Sequence, residues 1–406
     1  MGKHSMETPG HGIDFFREPS RKMDRMSTWI RPIDRGWVVR DTVPGPDVDE
    51  FADPERVIAA LAGARGDSLL AVQHPARTPS ALAGGLSIEA ALPQARATFE
   101  RIREGHYRPV ASVVAPYRID GPDGVALGVL CLVDTRLAVR ADGMTRVRHT
   151  EDVYPDVVAE RAAMLAGLGV ATSAAMLVPA TGGRELTALI ERLCRGHVPE
   201  LSTVDGAGRK HELWLTGPGD DQDELLAALE ELDLLVADGN HRVAAAAASG
   251  RGALLALVTG GPGLRIGPIH RVLAGTGLDA ATLVRRWTEA GFDVHPGPPE
   301  PPSEAGEVTV LAGASAFRVP LGKAGGDHAV VEQELLRGAL GVDPDGPAVR
   351  PLLPGAPVPE DADAVLLLAP VPYAEVLAVH AAGLRMPRKA TYFTPKPRSG
   401  LLLAEL

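Results

Sequence analysis

Two basic side chains beside a glycine turn are the first candidates for chemistry in this sequence. The segment 232–250 reads as an apolar strand, a turn at Asp238-Gly239 and a helix that begins near Asn240. His241 and Arg242 fall in the first helical turn, where the helix dipole disfavours a cation by about 0.3–1 kcal/mol. A phosphate would satisfy the helix N–H groups, the imidazole and the guanidinium together. In the alternative interpretation, Arg242 pairs with a core carboxylate and Asp238 only caps the helix.

A basic segment near the end of the sequence is the second candidate. Residues 385–398 contain five lysines and arginines and no acidic residue, in a chain whose formal net charge is −11. Such a concentration of positive charge predicts a local anion site, although charge runs are also typical of solvated tails. Because Leu401 to Leu403 follow at once, we expect the segment to dock as a terminal strand that places its cations.

Two further clusters carry polar chemistry. His149-Thr150-Glu151-Asp152 comes directly before a helix that begins at Pro155. Carboxylates beside a helix N-terminus are commonly capping groups, and the alternative is a general base or a metal ligand. His270-Arg271 follows an apolar run and is another basic pair that can face the same anion.

Composition limits the classes of protein to which these residues can belong. At 406 residues the chain is long enough for two or three domains. Its apolar runs are much shorter than the ~18–20 residues that cross a bilayer, so we expect no membrane partner. The net charge of −11 argues against a surface that binds nucleic acid as a whole. Two cysteines without metal-ligand spacing, and an N-terminus without an apolar export signal, predict a cytoplasmic protein.

Familiar catalytic motifs are absent from the sequence. It contains no P-loop, no glycine fingerprint of a dinucleotide fold, no G-x-S-x-G elbow and no H-E-x-x-H. The sequence therefore contains no motif that would indicate a P-loop enzyme, a Rossmann enzyme, a serine hydrolase or a zincin.

The elements that must position these residues alternate between helix and strand signals from about residue 26 onward, which predicts a mixed α and β fold. Helices are predicted at Asp53 to Ala64, Pro155 to Gly167, 184–195, 221–231, 241–249, 279–290 and 329–340. Strands are predicted at 68–72, 110–114, 125–133, 234–237, 253–258, 308–311 and 364–368. The Pro-rich stretch 296–302 predicts a boundary, which separates a region at 26–295, preceded by a loose tail at 1–25, from a C-terminal α/β region at 303–406.

Three segments resemble a widespread bacterial family known as domain of unknown function ten-fifteen. Residues 237–242, A-D-G-N-H-R, look like the family's A-D-G-H-H-R turn, and residues 268–272, P-I-H-R-V, look like its P-T-H-R-V element. Residues 386–401 resemble its terminus, M-P-x-K-S-T-Y-F-x-P-K-x-x-S-G-L. Asn240 replaces the first histidine of the turn, the family's H-E-x-T segment is rearranged at 149–152, and its P-P-Y-D-V segment is reduced to 43–48.

The family is itself similar to ParB-like nucleotide-binding domains and to free-serine kinases that carry the same turn. The resemblance implies an α+β fold: a ParB-like or serine-kinase-like core with mixed sheets and flanking helices, elaborated into two lobes. It implies a nucleotide-dependent kinase that phosphorylates the hydroxyl of free serine or a similar amino acid. The donor would be ATP, ADP or another nucleotide, with Mg²⁺. The alternative is a ParB-like nucleotide-binding switch or scaffold without kinase activity.

The resemblance also implies roles for single residues. Glu151 is the first candidate for the carboxylate that accepts the hydroxyl proton, with His149 and Asp152 as substitutes. The predicted phosphate-binding residues are Asp238, Gly239, Asn240, His241, Arg242, His270, Arg271, Lys389 and Lys396. Metal ligands and the oligomeric state stay open, and nucleic-acid binding through the basic segment is disfavoured by the acidic remainder of the chain.

Overall fold

The computed structural model describes residue 1 and residues 28–47, 54–140, 143–261, 263–322 and 326–406. Most of the predicted tail at 1–25 therefore lies outside the described residues, as do Asp53, the predicted helix cap, and Val48 of the reduced family segment. Within these ranges, no helix combines the length and apolar character that a bilayer crossing requires.

Helices are distributed along the whole of the described chain. They are Pro54–Gly63 (α1), Leu69–Gln73 (α2), Pro79–Ala83 (α3), Ile88–His106 (α4), Pro155–Leu168 (α5), Gly183–Cys194 (α6), Asp220–Glu230 (α7), Asn240–Ala248 (α8), Ala280–Glu289 (α9), Asp327–Val330 (α10) and Tyr373–Ala381 (α11). A 3-10 turn, Pro75–Arg77, joins α2 to α3, and α10 continues as a π-helix over Val331–Leu340. The seven predicted helices are confirmed close to their predicted ends, because caps and terminal glycines are local signals.

Strands alternate with these helices. They are Ile30–Arg31 (β1), Ile33–Val39 (β2), Tyr107–Val113 (β3), Ala115–Gly121 (β4), Gly124–Asp134 (β5), Val147–Arg148 (β6), Val170–Ala171 (β7), Ala175–Pro179 (β8), Leu201–Val204 (β9), Lys210–Leu213 (β10), Leu234–Asp238 (β11), Ala253–Gly260 (β12), Arg265–Gly267 (β13), His270–Ala274 (β14), His295–Pro296 (β15), Glu307–Ala312 (β16), Ser315–Pro320 (β17), Val349–Leu352 (β18), Ala362–Leu368 (β19), Tyr392–Thr394 (β20) and Leu402–Glu405 (β21). The predicted strands from 110–114 onward are confirmed.

The predicted strand at 68–72 is wrong, because this segment forms α2. The Ser68 side chain accepts a hydrogen bond from the Ala71 N–H at 3.2 Å and so caps a helix. A short apolar run cannot distinguish a buried strand from a buried helical turn by its periodicity alone.

No element is predicted over 88–106, where the structure has α4. Pro93 lies inside this helix, and an internal proline counts against helix because it lacks the N–H that a helix needs. The helix nevertheless forms, because the Ser87 side chain caps it and it buries Phe99 and Ile102 against the core.

The largest sheet is mixed, so the predicted α+β class with mixed sheets is confirmed. Its order is β6-β11-β8-β12-β5-β4-β10-β9, and β1 pairs with β5 outside this path. Strands β8 and β12 run parallel, whereas β12 is antiparallel to β5 from Ala253 opposite Asp134 to Gly260 opposite Leu127.

Strand β5 is buried on both faces, and its side chains alternate between two cores. Leu130 and Leu132 pack on the side of α4, whereas Val129, Cys131 and Val133 pack on the side of α6, α7 and α8. Burial of both faces accounts for the continuous apolar run that predicts this strand.

A second, antiparallel sheet has the order β15-β17-β16-β19-β14-β18. It packs with α9 and the helix at 327–340 around Trp287, which is fully buried. The Pro-rich stretch 296–302 connects β15 to β16 inside this sheet. The division of the chain at that stretch stays a proposal.

The chain terminus forms an inner strand of a third sheet, whose order is β3-β2-β21-β7. Ala404 lies opposite both Gly36 of β2 and Ala171 of β7. The expectation that the basic segment leads into a docked terminal strand is therefore confirmed, and this docking returns residues 385–398 to the body of the protein.

Truncation of the terminal strand's core side chain tests this docking. Leu403 is fully buried, so Leu403→Ala should lower the free energy of unfolding by about 2–5 kcal/mol, as buried leucine truncations do. Urea denaturation measures the change, with Leu384→Ala as the control because the Leu384 side chain is 64% exposed. Equal losses in the two variants would contradict the docking.

Candidate functional site

A cavity of about 470 Å³ lies beside the start of α8. The residues 237–242 form part of its wall, and Glu151 and Lys389 reach the same cavity from the segment before α5 and from the basic segment. Three stretches that are far apart in the sequence therefore meet at one place, and Ile269 of the family-like segment 268–272 lines the same cavity.

Gly239 lets the chain pass from β11 directly into α8. Its φ is +92°, a conformation that favours glycine, and a Cβ atom there would lie 2.6 Å from Nε of Arg242. Because Gly239 is the N-cap, no side chain caps the helix at this position. The helix thus presents its first turn to the cavity, with the partial positive charge of its dipole.

Arg242 is paired with a buried carboxylate, as the alternative interpretation expects, but this carboxylate belongs to Asp238, which that interpretation made only a helix cap. Its guanidinium forms an ion pair with Asp238 and donates to the Ala174 carbonyl at 2.7 Å. Lys396 Nζ lies 2.9 Å from the other oxygen of the same carboxylate and stacks over the Tyr392 ring at 4.5 Å. Asp238 and Arg242 line the cavity, whereas Lys396 acts on it through Asp238.

His241 is a neutral imidazole, which corrects the expectation of a second potential cation in this turn. Its Nε2 accepts a hydrogen bond from the Tyr154 backbone N–H at 2.9 Å, which requires that nitrogen to be unprotonated. Burial, together with the charges of Lys389 and Arg161, lowers the pKa of His241 to about 4. The ring stacks on Tyr154 with centroids 5.7 Å apart.

Glu151 is the one member of the predicted catalytic cluster at 149–152 that lines the cavity. Its carboxylate accepts hydrogen bonds from the Lys389 N–H at 3.0 Å and from the Thr391 hydroxyl at 3.2 Å. Burial raises the pKa of Glu151, against the opposing effects of the Lys389 charge and these hydrogen bonds. A carboxylate with a raised pKa is a better proton acceptor than an exposed one.

His149 and Asp152 do not line this cavity. His149 donates through Nδ1 to the Asn240 side-chain oxygen at 3.1 Å, and the Thr150 N–H donates to the same oxygen at 3.2 Å. Asp152 forms an exposed ion pair with Arg385. Asn240 therefore ties the segment before α5 to the start of α8, a structural use for the amide that replaces the family's histidine.

Lys389 has an unusual backbone conformation. Its φ is +54°, a left-handed conformation that costs a residue other than glycine on the order of 1 kcal/mol. The backbone is held on both sides, because its N–H donates to Glu151 and its carbonyl accepts from Arg271 at 3.1 Å. Burial lowers the pKa of the Lys389 ammonium, although Glu151 opposes this effect.

His270 and Arg271 are not among the residues that line the cavity, whereas their neighbour Ile269 is. The Arg271 guanidinium is buried, bonds Glu332 at 2.7 Å and donates to the Arg388 and Lys389 carbonyls. His270 Nδ1 accepts from a β19 backbone N–H, and burial lowers its pKa to about 4. The pair thus supports the basic segment from behind.

Other residues reach the cavity that sequence reasoning missed. Arg161 and Tyr154 belong to α5 and its approach, and Gln73 and Arg77 come from the α2 region. The helical periodicity of α5 could have indicated the side of Arg161, whereas nothing local connects residues 73–77 to a site formed near residue 240. No group of three or more His, Cys, Asp or Glu residues positioned for a metal ion occurs in the part of the chain that the structure describes.

The chain belongs to the family described as "Protein of unknown function (DUF1015)", whose model matches residues 116–335. No curated protein matches it.

Among solved structures, the chain is similar to a conserved hypothetical protein from Pyrococcus furiosus, with 14% identity, a TM-score of 0.37 and coverage of 67% of this chain and 95% of that one. It is similar to C-terminally truncated SbnI from Staphylococcus aureus, with 15% identity, a TM-score of 0.38 and coverage of 67% of this chain and 87% of that one. It is also similar to a free serine kinase in complex with AMP, with 13% identity, a TM-score of 0.36 and coverage of 67% of this chain and 92% of that one. At these TM-scores the similarities carry no argument about function.

Removal of the buried guanidinium tests the support of the basic segment. The side chains of Arg271 and Glu332 are 4% and 14% exposed, and Arg271→Met leaves the Glu332 carboxylate buried without its partner. Breaking such a pair costs about 3–5 kcal/mol, so urea denaturation should show a loss of this size. Hydrogen exchange of the amides at 388–391 should also accelerate.

The matched control is Arg350→Met on the neighbouring strand β18. Arg350 forms an exposed ion pair with Asp361, and such pairs contribute about 0–1 kcal/mol. A similar loss of stability in both variants, with unchanged exchange at 388–391, would show that Arg271 does not hold the segment.

Proposed function

We propose that this cavity binds a nucleotide through its phosphates and that the protein transfers a phosphoryl group to the hydroxyl of a small molecule, free serine or a similar amino acid. The observation that carries the proposal is the meeting of the α8 start, Lys389 and Glu151 on one cavity wall. The start of α8 and Lys389 can bind an anion, and the Glu151 carboxylate can accept a proton.

The charges around the wall favour a bound phosphate. Lys389 and Arg161 lower the pKa of His241, and Arg161 and Lys396 lower that of Lys389, so positive groups repel one another here. A phosphate placed among them would reduce this repulsion and would accept hydrogen bonds from the first turn of α8. Gly239 keeps the helix start without a side chain that would block such an approach.

Glu151 supplies the group that phosphoryl transfer to a hydroxyl requires. In the proposed reaction, its carboxylate accepts the hydroxyl proton while the hydroxyl oxygen bonds to phosphorus and the bond to the leaving nucleotide oxygen breaks. Phosphoryl transfer passes through a loose transition state, so positioning and charge neutralisation dominate catalysis. The hydrogen bonds from the Lys389 N–H and the Thr391 hydroxyl fix the orientation of this carboxylate.

Mg²⁺ fits this wall only together with a nucleotide. Protein-bound Mg²⁺ commonly uses one or two carboxylates plus substrate phosphates. The cavity presents Glu151 and Asp238, and Asp238 is engaged by Arg242 and Lys396. The metal would therefore be held mainly by phosphate oxygens, and we assign no step to it.

A nucleotide-binding switch without transfer is the second candidate. His149 is hydrogen-bonded to Asn240, and Asp152 forms an ion pair with Arg385. Because neither residue lines the cavity, Glu151 is the single predicted base on its wall, and this favours the second candidate. The two candidates differ in their product, because the switch binds nucleotide and yields no phosphorylated amino acid.

Several expectations accompany the proposal and stay predictions. They are a cytoplasmic location, the absence of membrane and nucleic-acid partners, and the division of the chain into regions 26–295 and 303–406. The choice among ATP, ADP and another donor such as CTP belongs with them.

Replacement of the strained lysine tests phosphate binding. Asparagine tolerates left-handed backbone better than most residues, so Lys389→Asn removes the cation and keeps the turn. We expect the affinity for ATP or ADP with Mg²⁺ to fall by about 1.5–3 kcal/mol, as for the loss of a charged hydrogen bond. Isothermal titration calorimetry measures the change, after a thermal-shift screen has selected the nucleotide.

Lys210→Asn is the matched control, because Lys210 lies in an exposed ion pair with Glu212 on β10. Its nucleotide affinity should equal that of the unaltered protein. If Lys389→Asn bound the nucleotide with unchanged affinity, Lys389 would not be part of the site. If the unaltered protein bound no nucleotide, both candidate functions would be contradicted.

Replacement of the proposed base tests transfer. Glu151→Gln keeps the size of the side chain and a hydrogen-bond acceptor but loses the proton acceptor. Phosphoserine formation, detected by mass spectrometry, should fall by about 10²–10⁴-fold while nucleotide affinity is retained. Asp152→Asn, which changes an exposed pair with Arg385 away from the cavity, should keep full turnover. Full turnover in Glu151→Gln would contradict the role of Glu151.

A further inference from the structure

The backbone of Tyr154 fixes which nitrogen of His241 carries the proton. The Tyr154 N–H can only donate a hydrogen bond, and its acceptor is His241 Nε2 at 2.9 Å. A ring nitrogen that accepts a hydrogen bond carries no proton, so the proton of the neutral imidazole is on Nδ1. His241 is therefore the Nδ1–H tautomer, and the one basic lone pair of its ring is already engaged by the protein.

Stacking contacts hold Tyr154 and His241 in this relation. Their rings are nearly parallel, at 9°, with centroids 5.7 Å apart. The Arg388 guanidinium lies 4.4 Å from the centre of the Tyr154 ring, and Asp345 binds Arg388 at 3.0 Å. Together with the hydrogen bond, these contacts oppose rotation of the imidazole, so that Nε2 and Nδ1 keep separate positions.

Nδ1 is the ring nitrogen of His241 that remains open to a ligand. Within the described part of the chain it has no hydrogen-bond partner, and it is not one of the fully buried polar atoms. His241 belongs to the wall of the cavity beside the start of α8, together with the cations Lys389 and Arg161. The imidazole thus adds to this wall a hydrogen-bond donor that carries no positive charge.

We propose that Tyr154 is a positioning residue that makes His241 a neutral hydrogen-bond donor to a phosphate oxygen and prevents it from acting as a base or a nucleophile. The choice of phosphate as acceptor rests on the proposed function. A base or a nucleophile needs a free lone pair, and the lone pair of Nε2 is bonded to the Tyr154 N–H. Nδ1–H can only donate, which suits an ionised phosphate oxygen because that atom can only accept. Proton transfer is therefore left to Glu151.

Nitrogen-15 NMR of the histidine rings tests the tautomer without any nucleotide. A protonated and an unprotonated ring nitrogen differ widely in chemical shift, and the signals of His241 are those that vanish in His241→Asn. At neutral pH we expect a protonated Nδ1 and an unprotonated Nε2. Tyr154→Pro removes the N–H at a residue whose φ of −85° is close to that of proline, and it should give a mixture of tautomers. Tyr154→Ala, the matched control, loses the ring but keeps the N–H, and should keep the Nδ1–H tautomer.

Two replacements of His241 itself test the donor. Asparagine carries its amide on Cγ, next to the position of Nδ1, whereas glutamine carries its amide one atom further out, near the position of Nε2. In calorimetric titration with ADP and Mg²⁺, His241→Asn should bind within about threefold of the unaltered protein. His241→Gln should lose about ten- to a hundredfold, as for a hydrogen bond to a charged group. His106→Gln, at an exposed histidine of α4, is the control and should bind as the unaltered protein does.

The possible results separate this inference from the proposed function. An Nε2–H tautomer in the unaltered protein, or a pure Nδ1–H tautomer in Tyr154→Pro, would overturn the role of Tyr154. A loss of affinity in His241→Asn as large as that in His241→Gln would show that Nδ1 is not the donor. If the unaltered protein bound no nucleotide, the proposed function and its phosphate contact would be contradicted, whereas the NMR spectra would still decide the tautomer.

Discussion

The main chain of Lys389 is held between a carboxylate and a guanidinium, and the rest of the site depends on this contact. Glu151 binds its N–H, Arg271 binds its carbonyl, and the residue between them adopts a left-handed conformation. The contact joins three segments that are widely separated in the sequence. These two hydrogen bonds hold the proline-rich basic segment in place, and they thereby position the Lys389 ammonium group beside the start of α8. The terminal strand β21 and the buried Arg271 provide the necessary support on either side.

Charge balance in the cavity differs from a simple cluster of cations. Arg242 and Lys396 share the carboxylate of Asp238, and His241 is neutral because burial and nearby cations lower its pKa. Lys389, Arg161 and the partial positive charge at the start of α8 together give this wall its positive character. The pairing of Asp238 with Arg242 and Lys396 stabilises this wall in the absence of a ligand, which is compatible with the phosphate site that we propose.

The cavity is lined by charged and apolar side chains from several elements. The start of α8, the basic segment and Arg161 of α5 bring charged groups to it, whereas Met164, Leu165 and Leu168 of α5 are apolar. The loop from Thr172 to Ala174 joins the α2 region to the start of α8, because Thr172 accepts a hydrogen bond from Gln73 and the Ala174 carbonyl accepts one from Arg242.

Local signals in the sequence determined most helix ends, the glycine turn at 238–239 and the terminal strand, because caps, glycines and apolar runs act within a few residues of their own position. They also indicated three of the segments that meet at the cavity. Only the tertiary structure decided that Arg271 supports the basic segment from behind, that His241 is neutral and that 68–72 is helical. Ion-pair partners, burial and pKa depend on side chains brought together from distant parts of the chain, and no local pattern contains that information.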